Sequence, residues 1–68
     1  MAVTKIIELV GSSSTGSDDA VKAALTEAQA TIRNIKALDV VSVGLRGDNL
    51  SEWRALVRVS FVIERVSE

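Results

Sequence analysis

The side chains with the widest chemical reach in this 68-residue chain are carboxylates and guanidinium groups. Asp39 and Glu64 are the candidate acid and base. Asp39, Glu52 and Glu64 also offer oxygen ligands to a hard cation such as calcium, provided symmetry brings copies of the chain together. No single segment spaces them as a metal-binding loop does, so the metal ligands stay unassigned. Catalysis has little else to draw on. The chain has no His, which removes imidazole ligands and the commonest general base. It has no Cys, which removes disulfides, thiolate metal sites and thiol nucleophiles. It has no Tyr and no nucleophile motif. Each carboxylate therefore reads as a solvated or interface charge, and the chain is not read as an enzyme.

Two short motifs touch on binding. "GSSSTGS" (residues 11–17) precedes a helical pattern, and a Gly/Ser loop there can cradle phosphate at the helix N-terminus. It lacks the Lys and the glycine spacing of a nucleotide loop, so it reads as a connection. "RGDNLS" (residues 46–51) contains the adhesion tripeptide Arg46-Gly47-Asp48, but Gly, Asp and Asn together read as turn chemistry.

The elements that must position these groups are legible from periodicity. Residues 3–10, "VTKIIELV", are short and β-branched, and read as a strand with apolar contact on both faces. Residues 18–36 read as a helix, with Ser17 as N-cap and Asp18 and Asp19 in the first turn, where the dipole favours negative charge. Val21, Ala24, Leu25, Ala28, Ile32 and Ile35 step by three or four and form one apolar stripe. Arg33 and Lys36 suit the C-terminal end of such a helix. Residues 38–45 read as a second strand. Residues 52–64, "EWRALVRVSFVIE", alternate strictly. Trp53, Ala55, Val57, Val59, Phe61 and Ile63 form an apolar face for the helix. Arg54, Leu56, Arg58, Ser60, Val62 and Glu64 form a mixed face. Leu56 and Val62 would be wet there in a monomer, so the mixed face reads as a subunit interface.

The order strand, helix, strand, strand implies an α+β fold, β-α-β-β. The longest strand is expected at the centre of a three-stranded antiparallel sheet, in the order first, third, second. One domain spans residues 1–68. A chain this short buries only about 60% of the surface its unfolded form exposes, so its own core is marginal. With disulfides excluded, oligomerisation is the expected source of extra stability. The net charge is −1 with signs interspersed, which does not match the basic face of a nucleic-acid binder. The least charged run is too short to span a bilayer and lacks a signal-peptide layout. The expected partners are therefore the chain itself and a small ligand, with no nucleic acid and no membrane, in the cytoplasm.

"KIIELVGSS", then a helix ending in "TIRNI", then "WRALVRVSFVIE", resembles the dodecin family over nearly the whole chain. The resemblance implies a three-stranded sheet partly wrapping one helix and a hollow homododecamer that stores small ligands. It also implies flavin (riboflavin or FMN) held in pairs at subunit contacts. In the family a Trp just after the helix stacks on the flavin ring, and a Gln in the last strand bonds the ring edge. Aligned without gaps from "TIRNI", Ala37 stands at the Trp position and Arg54 at the Gln position. Losing the indole removes about 1–3 kcal/mol of stacking per ring. Arg54 replaces an amide that both donates and accepts with a donor-only cation, better suited to a carboxylate or phosphate. Ala37 and Arg54 are thus the ligand-site residues that the resemblance implies. A shell that binds no flavin, holding a cation such as calcium or serving as a structural assembly, is the alternative.

Overall fold

The computed structural model describes residues 2–64, with side chains from Val3 to Ile63. It contains β1 (Ala2–Ser13), α1 (Ser17–Thr31), β2 (Ile35–Arg46) and β3 (Glu52–Glu64). The sheet order is β1-β3-β2, and both pairings are antiparallel. The expected topology is therefore the observed one, with the strictly alternating strand at the centre.

The core follows from that alternation. Val57 and Val59 on β3 are fully buried, as is Ala55, and they pack against Ala20, Ala24 and Ala28 of α1. Alanine keeps the helix close to the sheet. They come close at Gly11 on β1, where a Cβ would lie 2.0 Å from the Ala20 carbonyl oxygen. Ile7, Leu9, Val21, Ile32, Ile35, Leu38 and Trp53 pack around this centre.

The strands are much longer than the helix is. A 12-residue strand spans about 40 Å and a 15-residue helix about 22 Å. The helix therefore covers only part of one face, chiefly over β1 and β3. Two register shifts in β2, between Ile35 and Ala37 and between Val40 and Ser42, each place an extra residue opposite β3. Such bulges bend the strand and increase its local twist.

Four local expectations are corrected. The helix ends at Thr31, not at residue 36. Ile32 is already extended (φ −126°, ψ 135°), although its amide still donates to the Ala28 carbonyl at 2.8 Å. Asn34 then takes the left-handed conformation (φ 62°), which Asn tolerates better than most residues, and its carbonyl accepts from the Val62 amide at 3.1 Å. Ile32 reaches the core from this turn and Ile35 from the start of β2, so helical spacing continued past the helix itself. Arg33 and Lys36 accordingly lie outside the last helical turn, which contains no basic residue.

At the other end of α1, Gly16 and not Ser17 is the N-cap, with no side-chain capping bond. Asp18 and Asp19 do occupy the first turn, and the Thr15 hydroxyl donates to the Asp19 carboxylate. The "GSSSTGS" loop is shorter than expected because Gly11, Ser12 and Ser13 remain in β1, paired with Ala55, Arg54 and Trp53. Leu56 and Val62 are half-buried between neighbouring strands rather than wet. Ile6 (55% exposed) and Val10 (58% exposed), on the same face of β1, are the wet ones.

Candidate functional site

Antiparallel partners share a face, so the register assigns every side chain of the sheet to the helix side or the far side. On the far side lie Ile6, Glu8, Val10 and Ser12 of β1, Ala37, Asp39, Ser42, Gly44 and Arg46 of β2, and the even-numbered residues of β3. Both residues implied as a ligand site, Ala37 and Arg54, fall on this far face.

Ala37 is the third residue of β2 and faces Ser60, so it is not at a helix-to-strand corner as the sequence suggested. It lies beside a register shift, exposed, with only a methyl group to present. Arg54 faces Gly44 on one side and Ser12 on the other. Ser60 and Arg54 stand six positions apart on β3, or about 20 Å. One subunit therefore does not bring Ala37 and Arg54 together. A site containing both needs a second copy of the chain.

Charge on the far face is arranged in a ladder. Arg58 faces Glu8 on β1 and Asp39 on β2. Its Nη2 donates to Glu8 Oε2 at 2.9 Å. Arg54 Nε donates to Glu52 Oε2 at 2.7 Å. The hydrogen bond from Arg54, then its positive charge and a further bond from Ser12, hold the Glu52 carboxyl below the usual carboxylate range. These pairs are solvated, so they order the surface more than they stabilise the fold.

Near Arg54 the far face forms a shallow concavity of about 400 Å³. Val10 and Leu56 give it apolar walls, and Ser42, Arg46 and Arg54 give it polar ones. Gly44 has no side chain to fill it. Arg46 folds back over that gap, its Nη1 2.9 Å from where a Gly44 Cβ would stand, and donates to the Leu45 carbonyl at 2.9 Å. Sequence reasoning singled out Arg54 but missed Arg46, Ser42 and Gly44. The register, which brings them beside Arg54, depends on the Val40/Ser42 shift.

The cation reading gains no cluster within one subunit. Among the described residues no group of three or more acidic, His or Cys side chains converges. Asp39 faces Arg58, six positions along β3 from Glu52, and the Glu64 side chain lies outside the described residues. A second concavity at the start of α1 is lined by Thr15, Gly16, Asp18, Asp19, Lys22 and Trp53. Its two aspartates make it unsuited to phosphate, in keeping with reading this loop as a connection.

The dodecin family profile matches residues 3–64. The chain belongs to the dodecin family. This dodecin is similar in structure to the tt0972 protein from Thermus thermophilus, with 32% identity over 97% of this chain and 100% of that one and a TM-score of 0.84. The dodecin from Streptomyces coelicolor shares 30% identity over 96% of each chain, also with a TM-score of 0.84. The calcium dodecin from Mycobacterium tuberculosis, which has a calcium-binding site, shares the fold at 24% identity, with a TM-score of 0.81 over 97% of both chains. No curated protein matches the chain. Among the described residues no helix is long and apolar enough to cross a membrane.

Proposed function

We propose that this dodecin is a single domain over residues 1–68, that twelve copies close into a hollow cytoplasmic shell, and that the shell sequesters a small ligand where subunits meet, without catalysis. The observation that carries the assembly is the surface that one copy leaves uncovered. Its accessible area is 5045 Å², whereas a compact monomer of 7.2 kDa exposes about 4,100 Å². Its radius of gyration is 14.3 Å against about 11 Å for a compact domain of this length.

Besides Val3 and Leu50, the exposed large apolar residues form two groups. Ile6 and Val10 are exposed on the far face of β1, and Val40, Val41 and Val43 along β2. A closed shell of identical copies needs more than one kind of contact, and two patches supply them. Beside Ile6 and Val10 the Glu8–Arg58 pair and Asp39 give the far face a charge pattern that fixes orientation.

For the ligand, the family resemblance points to flavin, and the chain's own residues argue against the usual flavin contacts. Ala37 supplies no stacking plane, and Arg54 supplies no acceptor. A shell holding calcium is the second reading. It is supported by exposed Asp39, which makes no ion pair among the described residues, and by the kinship with a calcium dodecin.

The test is the mass of the purified protein by light scattering, followed by titration with riboflavin, FMN and calcium. A mass of twelve subunits is expected. A monomer or simple dimer overturns the shell. Quenching of riboflavin fluorescence at tight affinity restores flavin as the ligand.

A further inference from the structure

We infer that the concavity beside Arg54 takes an organic oxyanion, a carboxylate or phosphate on a short apolar body, in place of a flat neutral ring. This rests on the reading of the far face as the ligand-bearing face, and it names the ligand class of that same site.

The donors come first. Arg46 and Arg54 are diagonal neighbours across the β2–β3 pairing, because Arg46 faces Glu52 and Gly44 faces Arg54. Diagonal positions lie about 7–8 Å apart, within reach of long side chains. Glu52 takes the Nε of Arg54 and leaves its two terminal nitrogens without a partner among the described residues. Arg46 Nη1 bonds only the Leu45 carbonyl, and Arg46 has no carboxylate partner among the described residues. Two guanidiniums against one carboxylate leave the concavity with a net positive charge. Neither guanidinium can accept a hydrogen bond, so a neutral ligand carrying its own donors finds few acceptors here beyond Ser42 and the committed Glu52. An oxyanion matches this donor set, since guanidinium edges bind carboxylate and phosphate oxygens in pairs.

The body of the ligand is set by the walls. Val10, 58% exposed, and Leu56 give an apolar surface beside the arginines. Burying two or three methylene groups there adds roughly 0.8 kcal/mol each, or about fourfold in affinity per group. An inorganic anion forgoes that gain. Gly44 leaves the room that the Arg46 guanidinium takes, its Nη1 2.9 Å from where a Gly44 Cβ would stand.

Calorimetric titration of the purified full-length protein at low salt tests this, with butyl phosphate, butyrate, inorganic phosphate and riboflavin as probes and light scattering on the same samples. Butyl phosphate or butyrate is expected to bind, and the tighter of the two identifies the headgroup. Inorganic phosphate is expected to bind at least several-fold more weakly. Arg54→Gln and Arg46→Gln are each expected to weaken binding about tenfold, as loss of a charge-assisted hydrogen bond does. Riboflavin binding tighter than either organic anion overturns the inference. So does inorganic phosphate binding as tightly, or affinity unchanged in both arginine variants. A dodecamer that binds neither organic anion overturns this inference alone. A monomer that binds butyl phosphate through the two arginines supports it and overturns the shell. A monomer that binds nothing overturns both.

Discussion

Gly11 on β1 faces Ala20 on α1 so closely that a methyl group on Gly11 would stand 2.0 Å from the Ala20 carbonyl oxygen and 2.9 Å from the Ala24 amide nitrogen. Both obstacles are backbone, so neither can rotate away. Gly11→Ala must lift the helix off the sheet and loosen the Ala20, Ala24 and Ala28 contacts. A loss of about 3 kcal/mol is expected, at the upper end of overpacking costs. Urea denaturation of the variant measures it, and an unchanged midpoint would show that the helix sits further from β1.

The core is small, so single residues in it weigh heavily. Val57 is fully buried at its centre. Val57→Ala is expected to cost about 2 kcal/mol through lost burial and the cavity left behind. Val3→Ala, at a position 49% exposed near the end of β1, is expected to stay within about 0.5 kcal/mol of the unmodified protein. Denaturant midpoints of the two variants give the comparison.

The shell reading places the exposed far-face residues of β1 in a subunit contact. Ile6, 55% exposed, contributes nothing to the core of one copy. Ile6→Asp is therefore expected to lower the mass seen by light scattering while leaving the circular dichroism of the subunit intact. An assembly of undiminished size would remove Ile6 from the contact.

Glu52 titrates below the usual carboxylate range because Arg54 bonds and attracts its charged form. A depressed folded-state pKa stabilises the fold above the unfolded glutamate value, and that contribution fades as pH falls through the lowered value. Arg54→Gln removes the charge and is expected to return Glu52 toward the ordinary range. NMR titration of the Glu52 side-chain carboxyl reads the shift directly. Because the pair is solvated, global stability near neutral pH is expected to change little.

If Ala37 and Arg54 mark the ligand site implied by the family resemblance, restoring the family residues should restore flavin binding. Ala37→Trp with Arg54→Gln is expected to bind riboflavin at least tenfold more tightly than the unmodified protein, with quenched flavin fluorescence. Ala37→Trp alone is expected to recover the stacking part only. A double variant that leaves riboflavin fluorescence unchanged would place the ligand elsewhere.

The strict alternation of residues 52–64 made β3 legible, with its buried face and its central place in the sheet. That pattern depends only on neighbours two positions apart. The helix start was readable from Asp18 and Asp19, but its end was not. Ile32 and Ile35 keep helical spacing, yet they reach the core from an extended turn and from the strand after it, a geometry that depends on Asn34 and on the Val62 amide 28 residues further along. The same limit governed the candidate site. Arg54 was visible as a departure from a family pattern, whereas Arg46, Ser42 and Gly44 became its neighbours only through the β2 register shift.

Sequence alone thus determined the topology, the apolar face of the sheet and the absence of imidazole and thiol chemistry, because these follow from local periodicity and residue type. Tertiary structure alone decided where the helix stops, that Gly11 is a contact point, and that Ala37 and Arg54 lie about 20 Å apart along one strand. Those outcomes depend on which residues the sheet pairing sets side by side, and pairing is a property of the folded chain as a whole.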